Sequence, residues 1–260
     1  MIVSAVQFAV RKHDKLYNLE KVKSLINRQA DLFVLPELFS TGYWFPSREI
    51  IADVAEPVPG GPTTKAMCEM ARRKRCHITG AIAESDGGAL YITAVLAGPC
   101  GYVGKHRKRH LTEWEKQNYQ YGTDSEVFNI GGCKVGLMVC LEGWYPESAR
   151  ELTLKGAELI CHSMLTLQQR TLDVLRVRAM ENHVFIAAAN SCGEEEYDGG
   201  RVVFRGDSRI IDENGNILAS AGAAEKTVTA HIDPAAAVKD LEDCRDLSFE
   251  ALKHKGTMYR

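Results

Sequence analysis

No Cys-x-x-Cys pair and no apolar run approaching the ~20 residues that cross a bilayer occur in this sequence, and its single His-x-x-x-His spacing, His106 to His110 around Arg107-Lys108-Arg109, does not suggest zinc. Without a cysteine pair or a mixed Cys/His pattern the usual zinc frameworks are not indicated, and without a long apolar run there is no transmembrane helix. Positive charge is not in excess either: 32 Lys and Arg stand against 34 Asp and Glu, a formal net charge of -2. No global field therefore draws the chain to nucleic acid or to an anionic membrane. No Pro/Ser-rich linker, low-complexity segment or short-period repeat divides the sequence, which points to one domain over residues 1 to 260. With 45% hydrophobic and 25% charged residues, the composition is that of a soluble globular protein with a substantial core.

Eight cysteines are present without a regular framework, and several lie in apolar strand-like runs where a reduced thiol packs as a small hydrophobe. The apolar start from Met1 to Phe8 is short, lacks a basic leader and runs into Arg11-Lys12-His13-Asp14. It reads as a first core strand rather than an export signal, so a reducing, cytoplasmic setting is expected.

Hydrophobic period organises the rest. Leu16, Leu19, Val22, Leu25, Ile26 and Ala30 recur at helical spacing, and Leu32-Phe33-Val34-Leu35 is a continuous apolar run that fits an inner strand. Gly60-Gly61-Pro62 opens a helix to about Arg73; strands follow at 77–82 and 89–97 around Asp86-Gly87-Gly88. The second half repeats the alternation: a strand at 135–139, a helix opened by Pro146-Glu147, a strand at 157–162, a helix at about 168–183 and a strand at 184–189. From Val202 onward short strands are joined by loops. Helices alternating with strands and finishing in hairpins predict two sheets with helices outside.

In such folds reactive side chains collect where buried strands run out at their carboxyl ends. Glu37 follows Leu32–Pro36, Lys108 follows the Tyr102-Val103-Gly104 strand, and Cys140 follows Val135–Val139 at a turn into a helix. A thiol at a strand-to-helix turn lies near free backbone N–H groups, which favour thiolate and oxyanion. A glutamate beside it can take the thiol proton and later deliver one to a departing amine, and an ammonium can stabilise the charge that grows on a carbonyl oxygen. Lys108 stands in the basic run Lys105-His106-Arg107-Lys108-Arg109-His110, which taken as a block suggests a polyanion patch. If strand alternation holds, Lys108 shares a face with His106 and His110, while Lys105, Arg107 and Arg109 are solvated or ion-paired flanks.

Leu35-Pro36-Glu37-Leu38-Phe39-Ser40-Thr41-Gly42-Tyr43 resembles the glutamate motif of the nitrilase, or carbon-nitrogen hydrolase, superfamily. Arg107-Lys108-Arg109-His110-Leu111 is similar to its lysine motif, and Gly136 to Arg150, around Cys140-Leu141-Glu142-Gly143-Trp144, to its cysteine motif. The likeness extends to Gln7, to Arg178–Asn182 and to Gly206-Asp207-Ser208, covering about residues 1 to 232 and leaving 233–260 as a C-terminal tail. The resemblance implies an α/β fold, a four-layer αββα sandwich with two central mixed β-sheets. It implies Glu37 as general base, Lys108 as stabiliser of the tetrahedral intermediate and Cys140 as nucleophile. A second glutamate in a Trp-Glu pattern with Gly seven residues on fits Trp114-Glu115 and Gly122, so Glu115 takes that role rather than Glu113. No metal or organic cofactor and a homodimer or larger homo-oligomer are also implied. The chain departs from the family at His106, where Tyr is usual, at Leu141-Glu142, where an aromatic residue and Asp are usual, and at Tyr91-Ile92, where Tyr-Asn is common.

Tyr43, Trp114, Leu141, Glu142 and Trp144 are candidate pocket residues, although the aromatic ones fit simple packing equally well. Arg178 and Glu181, i,i+3 on a helix, fit a structural ion pair better than substrate contacts. His110 and His162 fit supporting positions. The function expected is hydrolysis of a non-peptide C–N bond in a small linear amide or carbamoyl compound through a cysteine thioester, with release of ammonia. The alternatives are a nitrilase, converting a nitrile to an acid and ammonia, and a catalytically silent binding or scaffold protein of the same fold. The partner expected is the small-molecule substrate, with neither nucleic acid nor membrane.

Overall fold

The computed structural model describes residues 1–27 and 29–237, so most of the expected C-terminal tail, with Cys244, falls outside the described residues. In chain order the elements are β1 (Ile2–Gln7), α1 (Lys15–Leu25), β2 (Leu32–Val34), α2 (Arg48–Val54), α3 (Pro62–Lys74), β3 (His77–Asp86), β4 (Ala89–Gly98), β5 (Gly101–Arg107), α4 (Glu113–Asn118), β6 (Val127–Ile130), β7 (Cys133–Val139), a 3-10 turn (Cys140–Trp144), α5 (Pro146–Leu154), β8 (Leu159–Met164), α6 (Gln169–Asn182), β9 (Phe185–Asn190), β10 (Cys192–Tyr197), β11 (Gly200–Arg205), β12 (Arg209–Ile211), β13 (Ile217–Ser220) and β14 (Lys226–His231).

The strands form two six-stranded sheets, ordered β14-β1-β2-β3-β4-β5 and β13-β12-β9-β8-β7-β6, with β10 and β11 as a separate hairpin. In each large sheet the three middle strands run parallel (β1-β2-β3 and β7-β8-β9) and the outer neighbours antiparallel, so both are mixed. Side-chain alternation explains why apolar runs, rather than apolar-polar alternation, mark these strands. Leu32 and Val34 face the other sheet while Phe33 faces α1 and α3; Leu137 and Val139 face inward while Met138 faces α5 and α6. Three buried clusters result, one between the sheets and one under each helical layer, which is the αββα sandwich anticipated.

The carboxyl ends of β2, β7 and β8 therefore open at the same edge of the sandwich. The Glu37 N–H donates to the Met164 carbonyl at 3.2 Å, tying the end of β2 to the end of β8 across the two sheets. Among the described residues no helix is long and apolar enough to cross a membrane.

Candidate active site

Lys108 stands one residue beyond β5, yet its N–H donates to the Ile92 carbonyl at 2.8 Å, so pairing with β4 continues through it. Alternation is preserved along the basic run. His106 and Lys108 are buried, whereas Lys105 and Arg107 turn to the other face, where both pair with the Glu84 carboxylate and Arg107 also reaches Asp86 at 2.6 Å. Arg109 pairs with Glu151 at 2.7 Å, and His110 stacks on Tyr145 with ring centroids 3.8 Å apart. The run is thus a set of ion pairs around one internal ammonium, not an open cationic patch.

That ammonium is fully enclosed. Lys108 Nζ donates to Glu37 Oε1 and to Glu115 Oε1, both at 2.7 Å, and all three side chains have 0% exposure. Tyr43 Oη donates to the same Glu115 oxygen at 2.8 Å. Glu115 is fixed by a capping box: its Oε2 accepts from the Thr112 N–H at 2.8 Å while Thr112 Oγ1 accepts from the Glu115 N–H at 3.3 Å. One carboxylate therefore caps α4 with one oxygen and holds Lys108 with the other. Gly122 closes this corner. Its N–H donates to the Lys108 carbonyl at 2.9 Å, and a Cβ there would lie 2.0 Å from the Arg107 carbonyl oxygen, which accounts for the glycine seven residues after Glu115.

Cys140 opens the 3-10 turn with φ 42, a left-handed backbone rare for a side chain of this kind. Sγ lies 3.6 Å from the Leu165 carbonyl oxygen, and the Cys140 carbonyl accepts from His162 Nε2 at 3.0 Å. The N–H groups of the first residues of such a turn lack acceptors within it, so that of Leu141 can serve an oxyanion. Arg178 fastens the far end, donating from Nε to the Gly143 carbonyl and from Nη2 to that of Trp144 while pairing with Glu181 at 2.8 Å. The i,i+3 ion pair read from the sequence is present, and it also clamps the turn.

Glu142 is not brought to the opening. Its fully buried carboxylate accepts from the N–H of Val139 at 2.7 Å and of Arg109 at 2.9 Å, and both oxygens lie within 3.0 Å of His106 Nε2. The expectation of a pocket residue is corrected to a bridge between the backbone beside Cys140 and the backbone beside Lys108. His106 and Glu142, two departures from the family pattern, meet each other there. Burial alone would raise the Glu142 pKa, but His106 and the two N–H groups hold it down to about 2. Glu142→Ala leaves these donors buried without an acceptor and is expected to destabilise the fold by about 3–5 kcal/mol, read as a shifted urea midpoint.

Electrostatics divide the labour among the enclosed groups. Burial raises the Glu37 pKa to about 7; Lys108 opposes that rise, and the nearby Glu115 adds to it. Lys108 is desolvated too, but the two carboxylates hold its pKa above the ordinary lysine value, so it stays an ammonium. Burial and Glu37 push the Cys140 thiol up, with Lys108 acting against them, so the resting sulfur carries its proton. Glu37 Oε2, buried and without a hydrogen-bond partner among the described residues, is the oxygen left to receive it. His162, pushed down to about 4 chiefly by burial, is neutral and acts through its hydrogen bond.

Of the remaining candidates, Tyr43 and Trp114 pack with ring centroids 5.0 Å apart over Glu115, Leu141 is half-buried beside Cys140, and Trp144 is exposed with the Arg170 guanidinium 5.7 Å over its ring. Beside them opens a cleft of about 570 Å³ lined by Lys12, Trp44, Phe45, Pro46, Trp114, Glu196, Tyr197 and Asp198. Trp44 lies in the loop from Tyr43 to Pro46 that the sequence offers as a pocket loop, whereas the β10–β11 hairpin is not among the sequence-derived candidates. The signal available was the hydrophobic stretch after Gly42, but nothing local pairs it with residues about 150 positions away.

Residues 2–239 match the family model for carbon-nitrogen hydrolases. A nitrilase of Pyrococcus abyssi is 39% identical over 85% of this chain and 84% of its own, and an omega-amidase of Xenopus tropicalis is 31% identical over 89% and 88%. Among solved structures, a CN-hydrolase superfamily protein from Xanthomonas campestris superposes with a TM-score of 0.84 at 26% identity, covering 100% of this chain and 98% of that one. The chain belongs to the carbon-nitrogen hydrolase family, and it is an enzyme of that class.

Proposed function

We propose that the protein is an amidase that hydrolyses the carboxamide of a small molecule through a cysteine thioester. The observation that carries this reading is the buried ammonium of Lys108 held at 2.7 Å by both Glu37 and Glu115 next to a half-buried thiol. Glu37 accepts the Cys140 proton as sulfur bonds to the carbonyl carbon, and the C=O electron pair moves onto oxygen. Lys108 and the Leu141 N–H stabilise that oxyanion in a low-dielectric site. Protonated Glu37 then gives its proton to the amide nitrogen, the C–N bond breaks and ammonia leaves. Water, deprotonated by Glu37, attacks the thioester; the C–S bond breaks, the acid departs and the thiol regains its proton. Glu115 keeps Lys108 charged and aimed, and Tyr43 holds Glu115.

Hydrolysis of a nitrile is the second reading, favoured by the 39% identity to a protein named a nitrilase. A silent scaffold has little support, since Glu37, Lys108, Glu115 and Cys140 are all present and the first three are in contact. Ammonia release should be assayed on matched amides, N-carbamoyl compounds and nitriles. Amides are expected to turn over at least tenfold faster than the corresponding nitriles; the reverse order would give the nitrilase reading, and no turnover in any class the scaffold.

A further inference from the structure

The β10–β11 hairpin bears the run Glu194-Glu195-Glu196, of which Glu195 is buried, with 5% of its surface exposed. A carboxylate withdrawn from water needs donors, and here they are two successive backbone N–H groups. Tyr43 N–H lies 3.0 and 3.1 Å from the two Glu195 oxygens, and Trp44 N–H lies 2.6 Å from Oε1. Gly42 permits this approach: its φ is +86, and a Cβ on it would stand 3.3 Å from Glu195 Oε2 and 3.0 Å from the Lys12 Cα. Lys12 Nζ donates to the Glu196 carbonyl, a second tie between hairpin and loop.

The two anchored residues serve different tasks. Tyr43 reaches Glu115, hence Lys108, through its hydroxyl. Trp44 stands between Trp114 and Tyr197, with ring centroids 5.1 and 5.2 Å away, and these rings line the cleft of about 570 Å³. The cleft is linked to the buried cluster through Trp114, which lines it, precedes Glu115 in the chain and packs on Tyr43, although Glu37, Lys108, Glu115 and Cys140 are not on its lining. Two carboxylates, Glu196 and Asp198, stand on its lining against the single ammonium of Lys12, which is already bonded to the Glu196 carbonyl. Flat apolar groups match these ring faces, and a carboxylate meets like charge.

We infer that this hairpin is the selectivity wall of the site. Glu195 positions Tyr43 and Trp44, and the cleft between Trp44, Trp114 and Tyr197 receives the non-reacting end of the amide, a flat apolar group in preference to a carboxylate. The inference rests on the amidase reading, and its test separates the two. Ammonia release is measured with the full-length protein on propionamide, 3-phenylpropionamide and succinamate. The expected kcat/KM is at least tenfold higher for 3-phenylpropionamide than for succinamate, and Tyr197→Ala lowers the ratio of 3-phenylpropionamide to propionamide about tenfold, through KM. Glu195→Ala lowers kcat on every amide hydrolysed as well as the aryl preference, and Glu195→Gln, which keeps an acceptor oxygen for both N–H groups, restores most of each. A preference for succinamate, a ratio unmoved by Tyr197→Ala, or a loss that Gln does not rescue overturns the wall. Absence of ammonia from all three counts against the amidase reading, and binding then decides the wall. Quenching of tryptophan fluorescence by 3-phenylpropionamide in Cys140→Ala should weaken about tenfold on adding Tyr197→Ala, and an unchanged affinity overturns the inference.

Discussion

Cys140→Ala is expected to lose ammonia release by on the order of 10⁵-fold or more, the scale seen when a covalent nucleophile is removed, while the protein stays folded. The sulfur is replaceable structurally because its contact with the Leu165 carbonyl, at 3.6 Å, is a weak one. The three-residue cluster of Glu37, Lys108 and Glu115 does not depend on it. What does depend on position 140 is the backbone, since φ 42 is disfavoured for any residue with a Cβ. Cys140→Gly should therefore be more stable than Cys140→Ala by about 1 kcal/mol, with both inactive. If Gly is no more stable, the left-handed turn is not strained; if Ala retains turnover, the nucleophile is elsewhere. Thiol reagents should respond to the same arrangement. The resting thiol is held protonated, so the alkylation of Cys140 should depend on Glu37 and fall sharply in Glu37→Gln.

The layers were legible because inner strands on both sides of the sandwich must be apolar throughout: Leu32–Val34 and Val135–Val139 could not face water on either side. Boundaries held where a breaker sits at the edge, as at Pro62 and Pro146, and drifted elsewhere; the strand read at 157–162 runs from Leu159 to Met164. The short helices α2 and α4 were missed because six or seven residues carry too little periodicity to register. For α4 the signal was local chemistry instead, the capping box Thr112-x-x-Glu115, in which Glu115 doubles as the partner of Lys108. Glu37, Lys108 and Glu115 could be named because each sits at a strand end or a motif, and their meeting at 2.7 Å is a tertiary fact. Glu142 was misplaced for the same reason. Adjacency to Cys140 in sequence says nothing about which way a turn points its third side chain, and its partner His106 lies across the sandwich on the other sheet.

Glu37→Gln should move activity and stability in opposite directions, and the pair of changes distinguishes a working base from a structural carboxylate. Loss of the proton acceptor predicts a fall in kcat/KM of roughly 10²- to 10⁴-fold. In the wild-type enzyme kcat/KM should rise with pH through about 7, where Glu37 gives up its proton, and the variant should lack that limb. For stability the sign follows from linkage. The folded-state pKa of Glu37 is raised, from 4.5 to about 7, so folding favours the protonated form. Its stabilising contribution is fully present below about 4.5 and is lost as pH rises through about 7. Above that the enclosed cluster of one ammonium and two carboxylates carries an uncompensated negative charge. Gln is neutral at every pH, resembles protonated Glu in shape and can still accept from Lys108, so it escapes the loss. Relative to wild type, Glu37→Gln should be nearly neutral at pH 4.5 and stabilising by up to about 3 kcal/mol at pH 8, since each tenfold difference in proton affinity between the folded and unfolded chain is worth roughly 1.4 kcal/mol. Urea unfolding of both proteins across this range is the measurement. A variant no more stable than wild type at pH 8, or one that keeps the activity limb near 7, would mean that burial does not poise Glu37 and that the proton leaves Cys140 for another group.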